Sequence, residues 1–197
     1  SSCSVYGFTD NEEMDENSEP SPQYPYGIAK LQAEKAIMML EDESFRPISI
    51  RKGTVGGWSP RMRYDLVVNT LLVRALRDNK FSVFGGDQWR PFVHCYDVAR
   101  AFKMALESDK SITHNQVFNV GSDDMNFTID QIGQKVAQKM PDATFSTVEE
   151  DVDKRNYIVS NKKIESAGFK AKRSVEQGVS ELIKALPLLK RTQFANI

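Results

Sequence analysis

The chain has 197 residues, 40% of them hydrophobic and 27% charged, and a formal net charge of −1. That length suits one large domain or two small ones with a real core, and the balanced charge points to neither a nucleic-acid nor a membrane surface. The two cysteines, Cys3 and Cys95, form no spaced pair. No apolar run approaches a membrane span, and the first residues lack a signal peptide's basic start and long apolar stretch, so the chain reads as reduced and cytoplasmic.

In chain order, "SSCSVYG" reads as a strand end running into a loop, which implies a chain that begins in the middle of a domain. Residues 8–22, "FTDNEEMDENSEPSP", read as an acidic, proline-bearing loop. From about Tyr24 to Glu41 the pattern is helical, with Ala29, Ala33, Ala36, Ile37 and Leu40 supplying one apolar face. "PISIRKGTV" (47–55) reads as a strand broken by "GGWSP", and residues 65–76 read as a helix. "KFSVFGG" is a short strand ended by glycines. Residues 96–108 form a helix with Asp97 in its first turn, where a carboxylate suits the positive dipole end. "QVFNVGS" is a buried strand, and helices follow over 128–140 and 174–189, capped by Thr128 and Ser174. There is no internal repeat. Strand–helix alternation of this kind favours a parallel α/β sheet.

Within "SPQYPYGIAK" (21–30), Tyr26 and Lys30 stand four apart. On a helix such positions share a face, with Cβ atoms roughly 5–6 Å apart. A tyrosine titrates near about 10, and an adjacent ammonium favours its phenolate. Such a phenol can take a proton from a hydroxyl and return it. The pair also occurs by chance on amphipathic helices. Ser2 strengthens the case, because a serine at the C-terminal end of a parallel strand sits where open α/β sheets bind ligands.

Ser-Ser-x-x-Val-Tyr-Gly, an acidic loop, then Tyr-Gly-x-x-Lys and a downstream glutamate resemble the extended short-chain dehydrogenase/reductase family, and within it the NAD-dependent nucleotide-sugar epimerase/dehydratase group. "ISIRKGTVGGWSPRMRYDLVVN", "FGGDQWRPFVHCYDVARAF", "VFNVGS" and "DKRNYIVSNKKIESAGF" continue the likeness in order over nearly the whole chain. The resemblance implies the C-terminal half of a Rossmann-like parallel sheet (residues 1–57 and 93–120) with an interleaved small α/β substrate domain (58–92 and 121–197). It implies Ser2, Tyr26 and Lys30 as catalytic residues, with Lys30 also holding the nicotinamide ribose beside Tyr26. It further implies that Ser2, Thr54, Asn69, Arg90 and Arg155 meet a nucleotide-diphosphate sugar, the arginines because their planar forks pair with phosphate oxygens. The implied cofactor is NAD, with NADP as the alternative, and the implied assembly is a homodimer without nucleic-acid or membrane partners.

Arg61, Arg63 and Arg100 read as surface charges or local salt bridges, His94 as a satisfied structural histidine, Cys95 as core, and Cys3 as inert. Two positions depart from the family pattern. Ser4 stands where dehydratases carry an acidic residue, and Thr54 where many members carry asparagine. The first departure favours an epimerase or a ketone reductase over a dehydratase. The glycine-rich dinucleotide fingerprint has no counterpart of the right spacing. The chain therefore resembles the C-terminal part of a longer enzyme. The expectation is an NAD-dependent nucleotide-sugar epimerase. The alternatives are a nucleotide-sugar ketoreductase or 4,6-dehydratase, and a non-catalytic binding protein of the same fold.

Overall fold

The computed structural model describes residues 1–149 and 155–188. Asp153 and Lys154 of the C-terminal motif, and Leu189 at the end of the last expected helix, lie outside the described residues. The elements run β1 (Phe8–Met14), α1 (Pro25–Met38), β2 (Ile48–Lys52), β3 (Thr54–Gly56), α2 (Val67–Asp78), β4 (Lys80–Phe84), β5 (Trp89–His94) and α3 (Cys95–Glu107). They continue with α4 (Lys110–Thr113), β6 (Gln116–Val120), β7 (Asn126–Thr128), α5 (Ile129–Lys139), β8 (Thr144–Val148), β9 (Asn156–Val159), α6 (Lys162–Ser166) and α7 (Val175–Ala185). Among the described residues, pairing is parallel in β1–β9, β2–β6, β3–β5 and β4–β8, and antiparallel only in β5–β7. This is the mixed α/β, mainly parallel architecture expected from the alternation. Among the described residues no helix is long and apolar enough to cross a membrane.

Three apolar clusters flank one cleft. The first joins Val68, Leu71, Leu72 and Ala75 of α2 to Phe81 and Val83 of β4, Ile132 and Val136 of α5, and Val179 and Leu182 of α7. The α2 set recurs at three- and four-residue steps, so one helical stripe faces the core. The second packs Ile50, Phe118 and Val120 of β2 and β6 against Ala101 and Ala105 of α3 and against Ile164 and Phe169. The third holds Cys3, Val5 and Tyr6 against Tyr157 and Val159. The expected caps are present: Thr128 with Gln131, and Ser174 with Gln177, each form a reciprocal capping box.

Several local expectations need correction. "SSCSVYG" contributes only a single parallel bridge, Ser2 to Lys52, before Cys3–Tyr6 turns into a 3₁₀ helix. The supposed loop over 8–22 contains strand β1, because β9 offers a parallel partner. Thr9 Oγ1 donates to the Asn156 carbonyl at 3.0 Å, and Asn156 Nδ2 donates to the Thr9 carbonyl at 3.2 Å. The apolar face expected on α1 points outward: Ala29, Ala33, Ala36, Ile37 and Leu40 are all exposed. The helix instead buries Gly27 and Glu34, with Leu31 and Met38 half-buried. Glu34 is buried because Arg51 meets it from β2, through Nη2–Oε1 at 2.6 Å and Nε–Oε2 at 3.1 Å, while Ser49 Oγ donates to Oε2 at 2.8 Å. Asp97 does more than face a helix dipole. Fully buried, it accepts the amides of Lys172 and Arg173 at 3.0 and 2.8 Å and Arg100 Nη1 at 2.7 Å, tying the approach to α7 onto α3.

Candidate active site

Two glycines explain how the first segment and α1 meet. Gly7 has φ +75°, a left-handed conformation that a side chain resists, and an added Cβ would lie 2.0 Å from the Ser21 carbonyl oxygen. At Gly27 an added Cβ would lie 2.7 Å from the Ser4 carbonyl oxygen. The glycine of "YGIAK" thus lets α1 press its backbone onto the turn that carries Ser2 and Ser4. The Glu34–Arg51 pair then fixes the same helix to β2.

This packing brings Ser2 and Tyr26 to one cleft of about 860 Å³, which is also lined by Thr54, Asn69, Arg90 and Arg155. A cleft of that size suits a ligand of several hundred daltons. Six of the seven residues expected at the site line it. The seventh, Lys30, lines no part of it, but its Nζ lies 5.4 Å from the centroid of the Tyr26 ring. The ammonium therefore sits over the ring face of Tyr26, one helical turn from it as the four-residue spacing requires. Tyr26 is 55% exposed, so its phenol is open to a ligand. The Ser2 hydroxyl is buried and accepts the Ser4 amide at 3.2 Å, with Ser4 Oγ 3.0 Å away. The Tyr157 phenol at the same cleft is buried, and burial makes its proton harder to lose.

The opposite wall begins at α2, whose N-cap, Leu66, supplies no side-chain hydrogen bond and whose first turn carries no acidic residue. Its leading amides and positive dipole end are thus left for an anion. Asn69, in that turn, is 2% exposed, and its Nδ2 donates to the Arg63 carbonyl at 2.7 Å. Its Oδ1 is buried with no hydrogen-bond partner. That atom is an acceptor, so it suits a ligand hydroxyl or N–H rather than a phosphate oxygen. Arg90, buried against the Tyr157 ring at 5.4 Å, donates to the carbonyls of Trp89 (2.9 Å) and Arg155 and to Gln88 Oε1 at 3.2 Å. Arg155 in turn lies 5.8 Å from the Tyr24 ring centroid, spanning from the C-terminal segment to the start of α1.

Sequence reasoning missed Lys52 and Arg74, which also line the cleft. The signal for Lys52 was its place at the end of a β-branched strand. Arg63, expected as a local salt bridge, does pair with Asp65 through two bonds of 2.8 and 2.6 Å, but it lines the cleft as well. Cys95 is half-buried at the cleft rather than core, and its thiol donates to the Trp58 carbonyl at 3.1 Å. His94 is a satisfied structural histidine: Nδ1 accepts the Tyr96 amide at 3.1 Å and Nε2 meets Glu181 Oε2 at 2.7 Å. Cys3 is fully buried, and burial pushes its thiol up to about 12. Among the described residues no His, Cys, Asp and Glu cluster could hold a metal.

A family model described as NAD dependent epimerase/dehydratase family matches residues 1–121. A trifunctional UDP-glucose 4,6-dehydratase/UDP-4-keto-6-deoxy-D-glucose 3,5-epimerase/UDP-4-keto-L-rhamnose-reductase of Arabidopsis thaliana is 25% identical over 187 residues, which cover 91% of this chain and 28% of that protein. The structure of MoeE5 in complex with UDP-glucuronic acid and NAD is 26% identical with a TM-score of 0.79, covering 95% of this chain and 63% of that one. The UDP-glucose 4-epimerase of Thermotoga maritima, solved with UDP-glucose, is 25% identical with a TM-score of 0.79, covering 95% and 62%. The chain thus spans less than two thirds of the length of each of these relatives. With the model matched over more than half of its residues, the chain belongs to the NAD dependent epimerase/dehydratase family.

Proposed function

We propose that the whole protein epimerises a nucleotide-diphosphate sugar through a transient keto intermediate, with Ser2, Tyr26 and Lys30 as its catalytic residues. The observation that carries this reading is the charge of the cleft. Lys52, Arg63, Arg74, Arg90 and Arg155 line it, against Asp65 as the one carboxylate among the described lining residues. A cleft so charged, at the bare N-terminus of α2, fits a diphosphate. Asn69 Oδ1, short of a donor, fits a hydroxyl or N–H of the same ligand. Ser2 and Tyr26 at the same cleft fit the sugar.

NAD, when bound, would supply a place for hydride to leave the sugar carbon and return. Tyr26 and Lys30 are both exposed, as residues meeting a nicotinamide ribose must be. The glycine-rich cradle for the remainder of NAD is not among this chain's residues. In the reaction the Tyr26 phenol oxygen exchanges a proton with the sugar hydroxyl, while the Ser2 hydroxyl holds the same sugar oxygen. Lys30 places its ammonium over the Tyr26 ring, where it can also meet the nicotinamide ribose. Ser4 provides no carboxylate to expel water, which supports epimerisation over dehydration. A ketoreductase remains the second reading, and net consumption of NADPH would mark it. A homodimer fits the exposed apolar face of α1, where Ile37 and Leu40 stand outward. A cytoplasmic location fits the two free cysteines.

Calorimetric titration with UDP-glucose and dTDP-glucose tests the reading. One of them should bind, and Arg90→Ala should weaken that binding by about 2–5 kcal/mol, the cost of stranding a buried charge partner. Absence of binding by both of them and by their uronate counterparts would overturn it.

A further inference from the structure

Strand β2 ends on Lys52, which bridges to Ser2 in parallel. Bridged residues of neighbouring strands lie about 4.8 Å apart and send their side chains to the same face. Lys52 therefore stands beside the serine assigned to the sugar, and both line the cleft with Tyr26. The residue is half-buried, and its ammonium lies 5.9 Å from the Phe102 ring centroid. Among the described residues no carboxylate pairs with it, and the one carboxylate of the cleft lining, Asp65, is already held by Arg63. Burial, and then repulsion from Lys30, lower the Lys52 pKa below the ordinary lysine value. Four arginines, Arg63, Arg74, Arg90 and Arg155, line the cleft besides. A partly desolvated cation without a counter-charge is costly, so one retained at a binding site fits an anion that arrives with the ligand.

We propose that Lys52 reads a carboxylate on the sugar, so that the substrate is a nucleotide-diphosphate uronic acid rather than a neutral hexose. This rests on the nucleotide-sugar reading above. A pyranose carboxylate is carried on the carbon next to C4. For a sugar that reacts at C4, with that hydroxyl at Ser2 and Tyr26, the acid group lies one carbon on, and Lys52, bridged to Ser2, is the cation beside it.

The test measures dissociation constants of the whole protein for UDP-glucuronic acid and UDP-glucose, in the wild type, Lys52→Met and Lys52→Arg. Methionine keeps the unbranched stem and removes the charge. The wild type should favour the uronate at least about tenfold, as one desolvated charge pair allows. Lys52→Met should bring the ratio of the two constants close to one, and Lys52→Arg should keep most of the preference. Equal affinities in the wild type would overturn the proposal while leaving the nucleotide-sugar reading intact. So would a preference that survives Lys52→Met, or a Lys52→Met variant that alters NAD retention but not the ratio. Failure of both sugars to bind would remove the proposal and the reading together.

Discussion

Replacing Glu34 with alanine removes one half of an ion pair and strands the other half inside the protein. The side chains of Arg51 and Glu34 are 5% and 4% exposed, and two hydrogen bonds join them. Without Glu34, Arg51 keeps only its bond to the Tyr6 phenol at 3.0 Å, and Ser49 Oγ loses its acceptor. Breaking a buried pair in this way costs about 3–5 kcal/mol. For a protein of this size each kcal/mol lowers Tm by about 2–4 °C, so the expected drop is roughly 6–20 °C. The double variant Glu34→Leu/Arg51→Met strands no charge and should recover most of the loss. Burial alone would raise the Glu34 carboxyl, but the Arg51 and Ser49 hydrogen bonds more than offset it and hold the group below its ordinary value. Its contribution is therefore complete above the unfolded glutamate pKa of about 4.3 and disappears as pH falls through the lower folded value. Glu34→Gln should flatten that part of the acid limb. Thermal and urea unfolding followed by circular dichroism, from pH 3 to 7, measures all of this. A Glu34→Ala loss below about 1 kcal/mol, or a double variant as unstable as the single one, would refute the reasoning.

Gly27→Ala places a Cβ 2.7 Å from the Ser4 carbonyl oxygen, so α1 must shift, at a cost of about 1–3 kcal/mol by urea unfolding. Turnover should fall with it, whereas Ala33→Ser on the exposed face of α1 should leave both unchanged. Cys3, fully buried with its thiol pushed up to about 12, should react with a maleimide only after unfolding; labelling of the native protein at Cys3 would contradict its placement. Because no glycine-rich turn of dinucleotide spacing lies within residues 1–197, this chain alone should bind NAD weakly, and micromolar affinity by calorimetry would show otherwise.

Alternating elements and the two helix caps are legible from local chemistry, whereas most of the residues expected at the site come from the likeness to the family, and six of those seven line the cleft. What escaped is where tertiary partners override local pattern. "FTDNEEM" has no apolar alternation, yet it is a strand because Asn156 and Thr9 complete its bonds across 147 positions. The alanines and Ile37 of α1 have helical spacing, but spacing does not say which face is covered. The covered face holds a glutamate that only Arg51 makes tolerable. Lys52 went unread because a lysine at a strand end is ordinarily solvated, and only its bridge to Ser2 places it at the cleft.

The most direct test of the account is Tyr26→Phe in the whole protein, with turnover and nucleotide-sugar affinity measured separately. Phenylalanine keeps the ring beneath Lys30 and removes only the phenol oxygen. Sugar affinity should stay nearly unchanged and turnover should fall about 10²–10⁴-fold, the usual worth of general acid–base help. A folded variant with turnover near that of the wild type would make Tyr26 a packing residue and contradict the account.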